Sequence, residues 1–191
     1  MKDISIGIVI LAAGKGTRYR LSGGRGHKLL ALHADAAGNV QPLIALTLHN
    51  ASQSGLPVAL VCHPEASEIQ AIAASYQAQI IRYASNGSGE TIAAGVRATA
   101  DWDGWLILPG DMGWVTADDI QQVARALQSG AQQARLCWQD KPGHPVGFAK
   151  QYQHALTQLN GDSGAKGLLD RDVLVTLAAA ERAIRDADFA D

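Results

Sequence analysis

Apolar residues along the chain fall into short runs separated by amphipathic stretches. Residues 4–11 form the first run, with little polar alternation, as expected for a central strand covered on both faces. Residues 58–62, 79–83 and 105–108 repeat the pattern, and 134–138, 146–149 and 173–177 add shorter strand-like runs. Helical periodicity fills the intervals. After a turn at Gly38-Asn39, Pro42 is placed for the first position of a helix whose buried face carries Leu43, Ile44, Thr47, Leu48 and Ala51, closed by Gly55. Ile69, Ile72 and Ala73 mark a second helix, and a short one follows residue 89. Thr116 with Asp119 three residues on makes a capping box that opens a helix carrying Ile120, Val123, Ala124 and Leu127. Residues 151–158 read as a last helix. Strands alternating with helices predict an α/β protein: a three-layer α/β/α, Rossmann-like, mostly parallel sheet in one domain over residues 1–191.

Ligands of such sheets sit beyond the C-terminal ends of the strands. Three of the four leading strands end in Gly-rich polar loops, after Leu11, after Tyr83 and after Leu108, which points to one shared site. In the first loop, Gly14 and Gly16 let the backbone approach a ligand and present N–H donors, while Lys15, Arg18 and the later Lys28 add cationic donors. Phosphate oxygens need both kinds of donor. A strand-to-helix turn with solvated basic residues fits the same stretch. Two familiar phosphate loops do not. Tyr19 stands where a dinucleotide fingerprint wants Gly or Ala, and Gly26-His27-Lys28-Leu29 lacks the Ser or Thr of a Walker loop. Asp111, after Pro109-Gly110 at a strand end, suits a hard cation such as Mg²⁺, and it equally suits a turn cap.

Composition narrows the partners. With 16 Lys and Arg against 18 Asp and Glu, a net charge of −2 gives no bulk attraction for nucleic acid or anionic lipid. The apolar runs fall short of the roughly 20 residues that cross a bilayer. The start Met1-Lys2-Asp3 has no signal-peptide pattern, and Cys62 and Cys137 read as reduced strand thiols, so the expected compartment is the cytoplasm.

Taken in order, the motifs resemble the nucleotidyltransferases with an LAAGxGTR signature, and most closely the molybdenum cofactor cytidylyltransferase branch of the molybdenum cofactor guanylyltransferase-like proteins. The resemblance rests on Leu11-Ala12-Ala13-Gly14-Lys15-Gly16-Thr17-Arg18, Lys28-Leu29-Leu30, Gly38 with Pro42-Leu43, and Asn86-Gly87-Ser88-Gly89-Glu90-Thr91 through Gly95. Gly110-Asp111-Met112, Gly143-His144-Pro145-Val146-Gly147-Phe148 and the Gly161 to Leu169 stretch complete it. It implies a nucleotide-diphospho-sugar transferase type of sheet, with a nucleotide-binding part at about 1–115 and an acceptor-binding part at about 116–191.

The resemblance also implies roles. Leu11, Ala12, Ala13, Gly14, Gly16, Thr17, Gly87, Ser88, Gly89, Thr91 and Gly110 would bind the nucleotide, with Ala12-Ala13-Gly14 resembling the version that selects CTP. Lys15, Arg18, Lys28 and Asp111 would be catalytic. Asp111 would hold Mg²⁺ with an aspartate of Asp186-Ala187-Asp188, Asp188 first and Asp186 in reserve. His144, Pro145, Gly161, Asp162, Gly164 and Lys166 would face a molybdopterin-type acceptor, whose product is destined for a molybdoenzyme. The chain departs from the pattern in the longer stretch from Tyr19 to His27, in Gly113 for a proline, in the short ending after Asp188 and in Lys166 for an arginine. Two alternatives share these motifs: transfer to another acceptor such as a sugar phosphate, and a nucleotide-binding accessory protein without catalysis.

Overall fold

A computed structural model of the chain describes residues 4–14 and 27–186. The first strand, β1 (Ile6–Ala12), is followed by a single turn of 3₁₀ helix at Lys28–Leu30, the hairpin β2 (Leu32–Ala34) and β3 (Val40–Pro42), and helix α1 (Leu43–Gln53). Then come β4 (Val58–Cys62), α2 (Ser67–Ser75), β5 (Gln79–Arg82), α3 (Ser88–Ala98), β6 (Gly104–Pro109) and α4 (Ala117–Gln128). Strands β7 (Gln133–Trp138) and β8 (Lys141–Ala149), helix α5 (Gln153–Thr157) and strand β9 (Leu174–Ala178) complete the fold.

Seven strands form one sheet in the order β5-β4-β1-β6-β8-β7-β9, with all neighbours parallel except β8, which runs antiparallel to both β6 and β7. Alternation along β1 sends Ile6, Ile8 and Ile10 to one face and Val9 to the other. On the first face they meet Leu43, Ile44 and Leu48 of α1, Ile69 of α2 and Ile120, Val123 and Leu127 of α4. On the second, Val9, Val61, Trp105, Ile107 and Phe148 pack under Ile92 and Val96 of α3 and Leu156 of α5. The three-layer, mostly parallel architecture is as the residue pattern predicts.

Gly95 on α3 shows how tightly the layers meet. A Cβ there would come 2.5 Å from Val9 Cγ1 and 3.1 Å from Val61 Cγ2, so the helix lies flat on the sheet only with glycine. Helix α4 opens with the expected capping box: Thr116 Oγ1 accepts from Asp119 N, and Asp119 Oδ2 accepts from Thr116 N.

Two elements differ from expectation. Pro42 ends β3 rather than beginning the helix, because the residues before α1 are paired across a hairpin: Leu32 opposite Pro42, and Ala34 opposite Val40. The Gly38-Asn39 turn closes that hairpin, with Asp35 Oδ1 accepting from Ala37 N and Asn39 N and Gly38 at φ +86°. Strand β8 spans Lys141–Ala149, well beyond the expected 146–149. Pro142, Gly143 and Pro145 look like breakers, yet the ladder to β6 reaches only Val146, so residues 141–145 pair with β7 alone, and that ladder shifts register between Arg135 and Cys137.

Candidate active site

The C-terminal ends of β1 and β6 are adjacent in the sheet, which brings two of the Gly-rich loops together. Gly110 N donates to Leu11 O at 2.8 Å, and a Cβ at Gly110 would lie 2.8 Å from that same oxygen. The strand ends can touch this closely only because residue 110 is glycine. From α1, Thr47 Oγ1 donates to Gly110 O at 2.7 Å and fixes the loop from below. Asp111 then projects into a cavity of about 690 Å³.

Leu11, Ala13 and Gly14 from β1 and its loop line this cavity, as do His27, Lys28, Asn86, Gly87, Ser88, Thr91, Gly110 and Asp111. Lys28 Nζ donates to Asp111 Oδ2 at 2.9 Å, the Asp111 side chain being 11% exposed and that of Lys28 18%. His27 Nδ1 accepts from Leu29 N and so caps the turn that presents Lys28. A carboxylate and an ammonium at the mouth of a glycine-lined cleft can serve a cation and a phosphate group together.

The third loop is built against a fourth. Ser85 Oγ donates to Gly87 O and accepts from Thr91 Oγ1, which folds the Asn86-Gly87 turn onto the start of α3. Gly89 N donates to Gly161 O at 2.9 Å, and Ser88 Oγ donates to Asp162 O at 2.9 Å. A Cβ on Gly87 would collide with the Gly161 carbonyl, and one on Gly89 would come 2.5 Å from Asn160 O. The loop containing Gly161, Asp162 and Gly164 thus backs the α3 loop. None of Gly161, Asp162, Gly164 and Lys166 is among the residues that line the cavity, and Lys166 is exposed.

The second half of the chain reaches the cavity through Pro142 and His144 of β8 and through Ile184 and Asp186. Pro145 beside them is buried, as are Ala12 and Gly89, so these three shape the walls from behind. Burial, reinforced by the nearby Arg135 guanidinium, pulls the His144 imidazole down to a pKa of about 4. It is therefore neutral at pH 7 and can donate or accept a hydrogen bond. Because the folded-state value lies below the unfolded one, about 6.5, acid binds preferentially to the unfolded chain, and stability is lost as pH falls through the window from 6.5 to 4. The His144→Gln variant should lose fewer degrees of melting temperature than the parent between pH 7 and pH 4.5. Equal losses would show that His144 takes no part in acid unfolding.

Lys15, Gly16, Thr17, Arg18 and Asp188 lie outside the described residues. Sequence reasoning passed over Ser85, His27, Pro142 and Ile184, and it read Thr47 only as part of a helical face. A serine just before an Asn-Gly turn was the one local signal available for any of them. Among the described residues no helix is long and apolar enough to cross a membrane.

Comparison with known proteins agrees with this fold. Rv0371c from Mycobacterium tuberculosis H37Rv superposes with a TM-score of 0.81 at 23% identity, covering 99% of this chain and 95% of that one. A complex of Rv0371c with manganese gives 0.72 at 21% identity, covering 92% and 88%. A nucleotidyl transferase from Methanothermobacter (Mth528) gives 0.76 at 21%, covering 97% and 92%. At these identities the likeness is one of fold. No curated protein matches the chain in sequence. The sequence profile of the MobA-like NTP transferase domain, however, matches residues 8–178, which takes in most of β1 with its loop, Lys28, the α3 loop, Asp111 and His144. A profile met over that span, on a fold whose strand ends gather those same residues, makes this chain a nucleotidyltransferase belonging to the MobA-like NTP transferase domain family.

Proposed function

We propose that the protein transfers CMP from CTP to the terminal phosphate of molybdopterin, releasing pyrophosphate, with Mg²⁺ held between Asp111 and a C-terminal aspartate. The observation that carries this reading is the convergence on one cavity of Gly14, the Gly87-Ser88 turn, Lys28, Asp111 and Asp186. The donor set fits the metal: two carboxylates facing a cleft, with room for phosphate oxygens and water, is the arrangement a small hard cation takes. Asp186 lines the cavity and so can partner Asp111, while Asp188 lies outside the described residues. When bound, the metal supplies charge neutralisation at the phosphates.

The chain's own residues do the positioning. Backbone N–H groups of the β1 loop and the α3 loop hold the triphosphate, with Ala13 and the segment from Gly87 to Thr91 against the base. Lys28, together with Lys15 and Arg18, offsets the charge that grows on the α-phosphoryl and departing pyrophosphate oxygens. The acceptor phosphate attacks the α-phosphorus in line as the bond to the β-phosphate oxygen breaks. An acceptor phosphate is already ionised at neutral pH, so no general base is needed. Neutral His144, reaching the cavity from the opposite half of the chain, donates a hydrogen bond to the acceptor, and the loop from Gly161 to Lys166 flanks it.

Pyrophosphate release with CTP, GTP or UTP, each paired with molybdopterin or a sugar phosphate, tests the proposal. The expected result is release and a cytidylyl product only with CTP and molybdopterin. Turnover confined to sugar phosphates would overturn the acceptor. Nucleotide binding with no turnover on any acceptor would overturn the reaction.

A further inference from the structure

Beyond β9 the chain turns back across the sheet and is fastened at three points before it reaches the cavity. Arg182 makes a two-pronged ion pair with Asp119: Nε to Oδ2 at 2.7 Å and Nη2 to Oδ1 at 2.9 Å. Ala183 is fully buried, its carbonyl oxygen 2.7 Å from where a Cβ on Gly143 would stand, so glycine in β8 makes room for it. The Arg185 guanidinium lies 3.7 Å over the Trp114 ring, three residues beyond Asp111. The next residue is Asp186.

Asp119 does more than cap a helix. It is 4% exposed. Burial pushes its carboxyl up, but the Arg182 fork and the Thr116 backbone hold it below the ordinary range, so it remains an anion with a fixed orientation. Arg182 itself is 42% exposed in its side chain, so little packing depends on it.

The geometry points to Arg182 as a positioning residue, whose fork on Asp119 holds the C-terminal segment so that the Asp186 carboxylate stays at the cation-binding edge of the cavity. The inference rests on the nucleotidyl-transfer reading above. Without the fork, the segment keeps Ala183 and Arg185 as anchors but loses its two-pronged, directional tie to α4. The cost falls on placing Asp186 and hence on cation affinity, while the phosphate-binding loops are unaffected.

Mn²⁺ binding, read by electron paramagnetic resonance of the free ion with the full chain and α,β-methylene-CTP, tests this without turnover. Arg182→Ala should bind Mn²⁺ about tenfold more weakly, the scale seen when a residue that orients a metal ligand is lost. Its metal-free affinity for the nucleotide analogue should match the parent's. Arg182→Lys keeps the charge without the fork and should recover part of the loss. Should the alanine variant fail to fold, the lysine variant carries the comparison. Unchanged Mn²⁺ affinity in a folded Arg182→Ala would overturn the positioning role alone, as would an equal loss of metal-free nucleotide binding. If the parent protein binds no Mn²⁺ with the analogue, the metal-dependent reading falls and this inference with it.

Discussion

Replacing Asp111 by alanine is expected to lower the rate of pyrophosphate release by a factor on the order of a hundred or more, the scale of losing one preorganised charged group at a reacting centre. The backbone there does not depend on the carboxylate. Gly110 is held by its bond to Leu11 O and by Thr47, and Met112 N donates to Pro109 O. Among the described residues the Asp111 side chain pairs with Lys28, and this pair is mostly buried, so its removal should cost about 1–3 kcal/mol of stability while the loop backbone keeps its bonds. Asp111→Asn separates shape from charge. It keeps the hydrogen-bonding outline and should lose nearly as much rate, because an amide cannot neutralise a cation. Turnover near the parent's in either variant, measured at saturating nucleotide and metal, would remove Asp111 from the mechanism.

The second large effect is expected at Gly87. Its backbone is extended, at φ −177°, so any residue can adopt the conformation, and the objection to a side chain is steric. A Cβ there would collide with the carbonyl of Gly161, and backbone cannot swing aside as a flexible side chain can. Gly87→Ala should force the α3 loop and the Gly161 loop apart. About 1–3 kcal/mol of stability should be lost, or several degrees of melting temperature for a chain of this size. The apparent KM for nucleotide should rise about tenfold or more. Ser88→Ala is the control. It deletes one hydrogen bond to Asp162 O, worth about 1 kcal/mol, without separating the loops. An unchanged KM in Gly87→Ala would mean that the Gly161 contact does not shape the site proposed for the nucleotide.

Much of the fold could be read from local pattern. The strand at Val58–Cys62, the α4 capping box and the three Gly-rich strand ends follow from periodicity and turn chemistry, which act over a few residues. The hairpin before α1 and the length of β8 could not be read that way. In the first, Pro42 satisfies a helix start and a strand end equally well. In the second, the prolines fall beyond the end of the β6 ladder, where β8 has β7 as its one partner strand.

The same division runs through the site. Asp111 and Lys28 stand out because their types suit phosphate and metal chemistry. The backing of Gly87 and Gly89 by Gly161 and Asn160 is instead a product of how distant loops pack. Asp119 reads locally as a first-turn helix carboxylate. Its bond to Arg182 spans 63 residues, and nothing in either segment signals the other. Long-range ion pairs of this kind carry no periodicity, so only the folded chain reveals them.

The central claim is that the end of β1 and the end of β6 hold one metal-bound triphosphate. Crystals of the full chain grown with α,β-methylene-CTP and Mn²⁺, with diffraction recorded at the manganese absorption edge, test it most directly. The account predicts one anomalous peak in contact with Asp111 and with the phosphates, the triphosphate running along the loop that begins at Gly14. A nucleotide bound with its phosphates away from Asp111, or manganese seated on other residues, would contradict it.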